Sequence, residues 1–353
     1  MAGAPPVRGF VAYLKAHPIL CMAILTPGIP EYLSTSSPVL AIAVNPAFFF
    51  LQLAINLAQY TAGALLVREA LLRWGKGWGT GLALGLAYGI AEEGLGDNTL
   101  FNSTHGTDGF LGLYGHFLGV NWVWSVGVLA FHVIYSTGLP IVLLGLALPS
   151  TRGRSLLGRR GIALALVSVG VAAAVEMAIV WGTDHYWMGW PLFAGSLVAI
   201  AVLILVGYRL PPDSLRPRFD SATIGPWAIF AVGFGFFPVA FLLEYGAAYL
   251  VPAAAVIAAE LVVFGVLLES VRRGIGRRGN EFLWVQLSLG FVLWQGVFGW
   301  LLTFGLPYQL PLVAVAAYFF VRLRRAYVGR APPERPPGPV PSGVLGSRPT
   351  EAP

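Results

Sequence analysis

The stretch WGTGLALGLAYGIAEEGLGDN, residues 78–98, decides the class of fold. No charged residue occurs before Glu92, and a helix of this length is about 30 Å long, which matches the hydrocarbon core of a bilayer. Small residues and carboxyls recur every four positions on one slowly drifting face, at Gly81, Gly85, Gly89, Glu93 and Asp97. Small residues at this spacing let a neighbouring helix approach closely. Glu93 is therefore expected to point into a helix–helix interface and away from lipid.

The whole chain has the composition of a membrane protein. Hydrophobic residues make up 57% of its 353 positions and charged residues 11%, which is more apolar surface than a soluble domain can bury. The pI is about 9.6. The basic residues flank apolar runs and do not line one helix face, so they indicate membrane topology and not nucleic-acid binding. The single cysteine, Cys21, excludes an internal disulfide and any paired-cysteine metal site.

Apolar runs of sufficient length predict an all-α, polytopic transmembrane bundle of about ten spans. The predicted spans are 18–33, 47–67, 78–98, 120–149, 161–182, 190–209, 224–243, 248–270, 281–302 and 306–321. All 22 Lys and Arg residues fall in the N-terminal leader, in alternate connections or in the C-terminal tail. Because Lys and Arg accumulate in cytoplasmic loops, this alternation predicts a multi-pass protein of the cell membrane with both termini in the cytoplasm.

Three regions are expected along the chain: a cytoplasmic N-terminal segment (1–17), the transmembrane domain (18–327) and a cytoplasmic tail (328–353). The tail is rich in proline, glycine and charge, so it cannot bury enough apolar surface to fold and disorder is expected. The first span is short, and Pro27, Gly28 and Pro30 are expected to break its outer half. A cleaved signal peptide is the alternative for that span, but no small-x-small cleavage site follows it cleanly, which favours a retained helix.

Ionisable side chains at membrane depth cost about 2.5–3.5 kcal/mol on insertion scales, so each needs a reason. Glu92 and Glu93 occupy one turn of the third span, and His132 lies near the middle of the fourth. One loop joins these two spans, so antiparallel packing would bring Glu93 and His132 together. Two carboxyls in one turn double the desolvation cost, which favours function for that pair, whereas hydrogen-bonded packing is the alternative for His132. Glu176 and Glu260 are interpreted as protonated carboxyls bonded across helix pairs.

Several strings in the first part of the chain form a recognisable set: Pro30-Glu31-Tyr32-Leu33, Asn45-Pro46, Leu66-Val67-Arg68-Glu69, Ala87-Tyr88-Gly89-Ile90-Ala91-Glu92-Glu93-Gly94-Leu95, and Gly119-Val120-Asn121-Trp122-Val123-Trp124 leading to Phe131-His132. Together they resemble a group of uncharacterised multi-pass membrane proteins from bacteria and archaea. The resemblance covers roughly residues 1–160 and implies a membrane location without an activity.

The chain is also similar, more weakly, to the CAAX-protease and bacteriocin-processing family of intramembrane proteases. That family carries the motifs E-E-x-x-x-R, F-x-x-x-H and H-x-x-x-N on separate membrane helices, and together they activate water. Glu92 and Glu93 match the paired glutamates, His132 matches the second motif, and His185 stands for the later histidine. The departures are Asp97, Val128 and Gly189, which stand where the family has Arg, Phe and Asn.

Three classes of function follow. The first is a membrane-embedded, metal-dependent hydrolase or protease with Glu92, Glu93 and His132 as its catalytic residues. In this hypothesis Glu93 and His132 hold the ion, His185 or Glu176 completes the site, and Glu92 is the general base. Carboxylate and neutral imidazole suit Zn²⁺ with an open position for water, so zinc is the expected cofactor.

The other two classes need no metal. A proton-coupled transporter or carrier would use the buried carboxyls and His132 as a proton relay, and ten spans allow two inverted repeats of five. A membrane scaffold would use the same polar groups only for packing. The lipid bilayer is the expected partner in every case, and the sequence specifies neither a substrate nor a protein partner.

Overall fold

A computed structural model of the chain describes residues 13–106, 109–276, 280–303 and 310–328. Most of the predicted N-terminal segment, and the predicted tail apart from Val328, lie outside these ranges. Within them the fold is almost entirely helical. One two-residue hairpin is present, in which His116–Phe117 pairs antiparallel with Val120–Asn121.

The helices in chain order are α1 (Pro18–Pro27), α2 (Ala41–Val44), α3 (Pro46–Trp74), α4 (Trp78–Gly89), α5 (Trp122–Phe131), α6 (Leu139–Ala147), α7 (Arg159–Asp184), α8 (Gly189–Arg209), α9 (Pro226–Phe241), α10 (Ala253–Gly274), α11 (Glu281–Leu302) and α12 (Leu310–Tyr327). Four π-helical segments continue or join them: Gly28–Leu33 after α1, Ile90–Gly96 after α4, His132–Gly138 between α5 and α6, and Leu242–Gly246 after α9. Two 3-10 turns lie at Gly109–Gly112 and Pro149–Thr151.

Seven helices among the described residues are long and apolar enough to cross a membrane. They are Pro46–Trp74, Trp122–Ala147, Arg159–Asp184, Gly189–Arg209, Pro226–Gly246, Ala253–Gly274 and Glu281–Leu302. The predicted fold class, an all-α bundle of membrane-spanning helices, is confirmed at this level. The predicted total of ten spans stays a prediction.

The first span does not break where its prolines predicted a break. α1 instead continues through Gly28–Leu33 as a π-helix, with the Gly28 N–H bonded to the carbonyls of Ile24 and Leu25. Because Pro27 and Pro30 have no N–H to donate, the regular ladder lapses there. The wider turn keeps the chain helical as far as Leu33.

α3 extends seven residues beyond the C-terminal end of the predicted span 47–67. Asn45 caps its start by accepting a hydrogen bond from the Phe48 N–H at 3.1 Å, and Pro46 occupies the first turn. Its end is set by Gly75, whose positive φ of 62° is the left-handed conformation that favours glycine at a helix C-terminus. The charged segment Arg68–Arg73 stays helical because the connection after α6 supplies hydrogen-bond partners for its side chains.

The basic connections meet at one end of the bundle, called here the basic end. Hydrogen bonds or ion pairs join Arg68 to Thr151, Lys76 to Leu210, Arg152 to Glu281 and Tyr327, and Arg218 to Arg272. The connections after α3, α6 and α8 therefore share this end with the end of α10 and the start of α11. The loop between α4 and α5 lies at the opposite end, where the Tyr114 hydroxyl donates to the Val251 carbonyl at 2.7 Å.

Glycine allows α4 to approach the helix that contains His132. A methyl group at Gly85 would come within 3.0 Å of the Thr137 Oγ1, and one at Gly89 would come within 3.2 Å of the His132 Cβ. The glycines at four-residue spacing on α4 therefore permit the close helix approach that their spacing predicted. It places the turn that follows, with Glu92 and Glu93, beside His132.

The C-terminal helices form a second packed unit. α9 lies along α11, and side chains at Gly233 or Gly290 would collide with the carbonyl oxygens of Leu287 and Phe230. Their common core includes Phe236 and Phe291. Other residues of α9 and α11 line a cavity together with residues of α3, α5 and α7, which are called here the first unit, so the cavity lies between the two units.

Candidate functional site

A cavity of about 520 Å³ lies between the two units, near the end of α4 that is opposite to the basic end. Its acidic and basic lining residues are Glu31, Glu92, Glu93, Asp97, Glu176, Glu244 and His132. None of the described residues that line it is Lys or Arg. Six carboxyls and one imidazole make this an acidic chamber inside an apolar bundle.

All four π-helical segments supply an ionisable side chain to this cavity. Glu31 comes from the first, Glu92 and Glu93 from the second, His132 from the third and Glu244 from the fourth. A π-turn holds one residue more than an α-turn and is frequent at functional sites. Proline or glycine lies in or beside each segment, so the regular hydrogen-bond ladder is weakened at these points.

Glu92, Glu93 and His132 form the centre of the site, called here the cavity cluster. The His132 Nε2 lies 2.7 Å from the Glu92 Oε2 and 2.7 Å from the Glu93 Oε1. The nitrogen carries at most one proton, so it can donate to only one of the two oxygens at a time. Among the described residues these three form the one group whose ligand atoms all lie within 4.8 Å of one another. They are 4%, 8% and 1% exposed, so they are shielded from solvent.

The imidazole is held from its other side. The His132 Nδ1 lies 2.9 Å from the Ser136 Oγ, one helical turn away and fully buried. A proton on Nδ1 that is donated to this hydroxyl leaves the lone pair of Nε2 pointing at the two carboxyls. Such a partner fixes the tautomer and the ring orientation of a metal-binding histidine.

Hydroxyl groups hold the carboxyls of the cavity cluster. The Tyr60 hydroxyl lies 2.9 Å from the Glu92 Oε1 and 2.6 Å from the Glu31 Oε1, and the Thr99 hydroxyl donates to the Glu93 Oε2. One phenol proton cannot be given to two carboxylates. Glu31 and Glu92 are therefore linked through Tyr60 so that the protonation of one bears on the other.

The structure brings together three of the four predicted site residues. Glu92, Glu93 and His132 meet, and the predicted approach of Glu93 to His132 is confirmed by the 2.7 Å distance. His185 is exposed at the end of α7, with a positive φ of 52°, and does not line the cavity. The structure does not bring it to the other three, and its assignment as a metal ligand gains no support from this position.

Glu176, the predicted alternative to His185, does line the cavity. It is 7% exposed, and its Oε2 accepts no hydrogen bond from the described residues. This oxygen packs against Gly96, where a side chain would collide with it. Glu260 is also buried, beside Glu244, but it is not part of the cavity lining.

Sequence reasoning missed Glu31 and Tyr60. Glu31 stands at the predicted outer boundary of the first span, yet it faces the cavity, where the Ser37 hydroxyl donates to its Oε2 at 2.8 Å. Tyr60 follows Gln52 and Asn56 at four-residue intervals along α3, so the three residues form a polar stripe. The stripe was the available signal, because Asn56 and Tyr60 lie four residues apart on one helix face.

Part of the cavity lining is aromatic. It is formed by Trp124 and Phe131 of α5, Phe237 and Phe241 of α9, and Trp294 and Phe298 of α11, and these residues are called here the aromatic wall. On each helix they repeat at intervals of four or seven residues, as one helix face requires. Three of the lining residues, Ser36, Phe241 and Leu302, are exposed, so the cavity reaches the protein surface beside α9 and α11.

Comparisons of this chain with protein-family models, with curated proteins and with solved structures find no match. The two resemblances drawn from the sequence therefore stay predictions. Several of the sequence strings on which the first resemblance depends have a defined location in the structure. Glu31 and Glu92-Glu93 face the cavity, and Asn121 fixes the loop above it by donating to the Thr99 carbonyl at 2.7 Å. Arg68 and Glu69 lie at the basic end.

A second, smaller cleft of about 130 Å³ lies on the side of the basic end. It is lined mainly by apolar residues, with Arg272 and Trp78 toward the basic end and Val133 and Phe291 at its deep end. Tyr135 contacts one lining residue of the cleft and one of the cavity, Phe291 and Phe237. This side chain is fully buried, donates to the Phe291 carbonyl at 3.1 Å and packs on the Phe237 ring at 4.8 Å.

Proposed function

We propose that this protein is a membrane-embedded, metal-dependent hydrolase whose reaction chamber is the cavity. The observation that carries the proposal is the convergence of the Glu92, Glu93 and His132 ligand atoms within 4.8 Å, in a buried position that faces open space. Three protein ligands with one position left for water are typical of catalytic zinc sites. The weaker similarity to intramembrane proteases points to the same class of reaction.

Each residue of the cavity cluster has a defined task in this proposal. Glu93 and His132 hold the ion, Ser136 fixes the imidazole, and Thr99 orients the Glu93 carboxyl. Glu92, held by Tyr60, either completes the ligand set or takes the proton from the attacking water. A zinc ion supplies Lewis acidity that polarises the bond to be cleaved and activates water near neutral pH.

The test is the zinc content of purified full-length protein and of its variants. The intact protein is expected to hold about one ion per chain, and His132→Ala and Glu93→Ala are expected to lose it because each removes a ligand. Glu92→Gln discriminates the two tasks of Glu92: loss of the ion identifies a ligand, and retention identifies a base. Asp213→Asn, an exposed residue of the basic end, is the matched control.

The same measurement can contradict the proposal. Absence of zinc and of other divalent ions from the intact protein, after dialysis against each of them, would rule out the metal-dependent hydrolase. Equal metal in the intact protein and in both alanine variants would place the ion elsewhere.

The topology that goes with this function is ten spans in the cell membrane with both termini in the cytoplasm. The clustering of the basic connections at one end supports it, because cytoplasmic loops attract Lys and Arg. α1, α4 and α12 with their extensions would add three spans to the seven long apolar helices. A tag inserted after Ser103 is expected to react with an impermeant reagent in intact cells, and a C-terminal tag is expected to be protected.

A proton-coupled carrier is the second candidate, and the presence of a second cleft toward the basic end favours it. Tyr135 contacts a lining residue of the cleft and one of the cavity, and a carrier would need such a pair of openings toward the two sides of the membrane. The decisive result would be proton flux in reconstituted vesicles that Glu93→Gln abolishes, in protein that holds no metal. That combination would favour the carrier over the hydrolase.

A further inference from the structure

We infer that the cavity binds a lipophilic cation, with its positive group between Glu176 and Glu244 and its apolar body on the aromatic wall. The claim that such a cation is the substrate rests on the hydrolase proposed above. The claim that the cavity binds the cation does not, because neither Glu176 nor Glu244 belongs to the cavity cluster.

The charge of the lining selects a cation. Six carboxyl-bearing residues line the cavity with one histidine, and no Lys or Arg does so among the described residues. The histidine contacts Glu92 and Glu93, and Glu31 is bonded to hydroxyl groups. Glu176 and Glu244 stand apart from that network. An anionic ligand would have to approach an excess of carboxyls in a medium of low dielectric constant, which is unfavourable.

Glu176 supplies an independent sign of a missing partner. The side chain is 7% exposed and belongs to the chamber lining, and its Oε2, which packs against Gly96, has no hydrogen bond from any described residue. A buried acceptor left without a donor costs about 1–3 kcal/mol. An ammonium group or another donor on a ligand in the cavity would satisfy it.

Glu244 combines a carboxyl with aromatic rings. It lies in the extension of α9 next to Tyr245, whose ring stacks on that of Phe241 at 4.4 Å, and its carboxyl also lies beside Glu260. Gly127 of α5 makes room for it, since any side chain there would collide with the Glu244 Oε1. Aromatic faces attract cations, and rings around a carboxyl are a common way to bind ammonium groups.

The aromatic wall selects a lipophilic body. Its six rings come from three helices and line a chamber of about 520 Å³ together with the carboxyls, which is within the size range of ordinary ligand sites. A small hydrated cation would make no apolar contact with this wall. The exposed lining residues Phe241 and Leu302 place the opening at the apolar surface beside α9 and α11, where a lipophilic molecule would arrive.

The test uses two probes of matched shape and opposite charge, tetraphenylphosphonium and tetraphenylborate. Their equilibrium binding is measured on the full-length protein in detergent, each against an excess of the same unlabelled probe. The cation is expected to bind saturably and at least tenfold more tightly than the anion. Glu176→Gln and Glu244→Gln are each expected to weaken cation binding about tenfold or more, whereas Asp213→Asn leaves it unchanged.

Two further variants protect the test against misfolding. Glu244→Asp keeps the charge and is expected to retain most of the cation affinity that Glu244→Gln loses. Phe241→Ala with Phe298→Ala is expected to weaken both probes, because it removes apolar surface and not charge. Thermal unfolding of each variant shows that the protein is intact.

Equal affinity for the two probes, or cation binding that is the same in the intact protein and in both glutamine variants, would overturn the inference. Its failure differs from that of the hydrolase. If the protein binds the cation but holds no metal, the inference stands and the hydrolase proposal fails. If the cavity cluster holds metal but the cavity does not bind the cation, the hydrolase proposal stands and the inference fails.

Discussion

Two groups of buried charges in this molecule use the same residue types in opposite ways. At the basic end, each Glu69 oxygen has two partners: the Leu156 N–H at 2.7 Å and Arg68 at 3.2 Å for one, Ser155 at 2.5 Å and Arg73 at 3.2 Å for the other. Arg68 also donates to two carbonyls of the connection after α6. The chain satisfies this network, called here the Glu69 network, by itself.

The cavity has no such balance. Its carboxyls outnumber its one imidazole, His132 stands at equal distances from two of them, and the Glu176 Oε2 has no donor among the described residues. Buried ionisable groups that are fully paired within the chain are expected to contribute to stability. Buried ionisable groups that have no partner in the chain are expected to bind a ligand. The contrast separates residues that should matter for stability from residues that should matter for binding.

The largest effect is expected from breaking the Glu69 network. Glu69→Ala leaves Arg68 buried without its carboxylate, and the loss of one partner of a buried pair costs about 3–5 kcal/mol. Unfolding of the purified protein in detergent, followed by heat or denaturant, measures the loss. A change below about 1 kcal/mol would show that solvent, and not Glu69, satisfies Arg68.

The second effect concerns the cavity cluster and has the opposite character. Glu93→Gln is expected to leave the metal-free protein as stable as before, because it removes one of two carboxyls that compete for His132. The intact protein should gain about 2.7 kcal/mol when zinc is present at a hundred times its dissociation constant. The variant should gain nothing. A comparable loss of metal-free stability in Glu93→Gln and Glu69→Ala would remove the distinction between the two groups.

A third and smaller effect probes the packing behind the cavity. Gly127→Ala forces Glu244 to move, and such overpacking costs about 1–3 kcal/mol. Gly170→Ala is the matched control, since it also lies within a long helix but has no atom within 4 Å of the added methyl group. The control is expected to be neutral or stabilising by up to about 1 kcal/mol. Equal costs for both would mean that Gly127 serves its own helix and not Glu244.

The smallest expected effect is that of Ser136→Ala. It removes the group that holds the His132 Nδ1 but touches no ligand atom. Zinc affinity is expected to fall about tenfold, at the lower end for such supporting partners. A zinc titration measures it, and unchanged affinity would show that packing alone orients the imidazole.

The membrane-spanning helices and the meeting of Glu93 with His132 were open to prediction from the sequence. Apolar runs mark the helices, and the third and fourth spans, which one loop joins, are predicted to pack as antiparallel neighbours. The glycine spacing of α4 then determines which face meets α5, as the contacts of Gly85 and Gly89 show. These features depend on order along the chain and on one helix period.

The remainder of the site depends on how distant helices are rotated. Glu31 reaches the cavity because the first helix widens after Pro27 and does not end, which proline content alone does not reveal. His185 lies outside because α7 ends in a left-handed residue just beyond Asp184. The aromatic wall could not be predicted for another reason. In an apolar span, the sequence does not distinguish an aromatic ring that faces a cavity from one that faces lipid.

The π-helical segments carry a consequence for how this chain tolerates insertions and deletions. Each holds one residue more than a regular turn, and one residue corresponds to a rotation of about 100°. Removing a single residue within Ile90–Gly96 can restore a regular helix without disturbing α4, so the protein should still fold. The side chains of that turn, Glu92 and Glu93 among them, would then point to different faces. Length changes at these four points should therefore erase the chamber's chemistry while sparing the scaffold, whereas the same changes within regular turns should rotate the rest of the helix and disturb its packing.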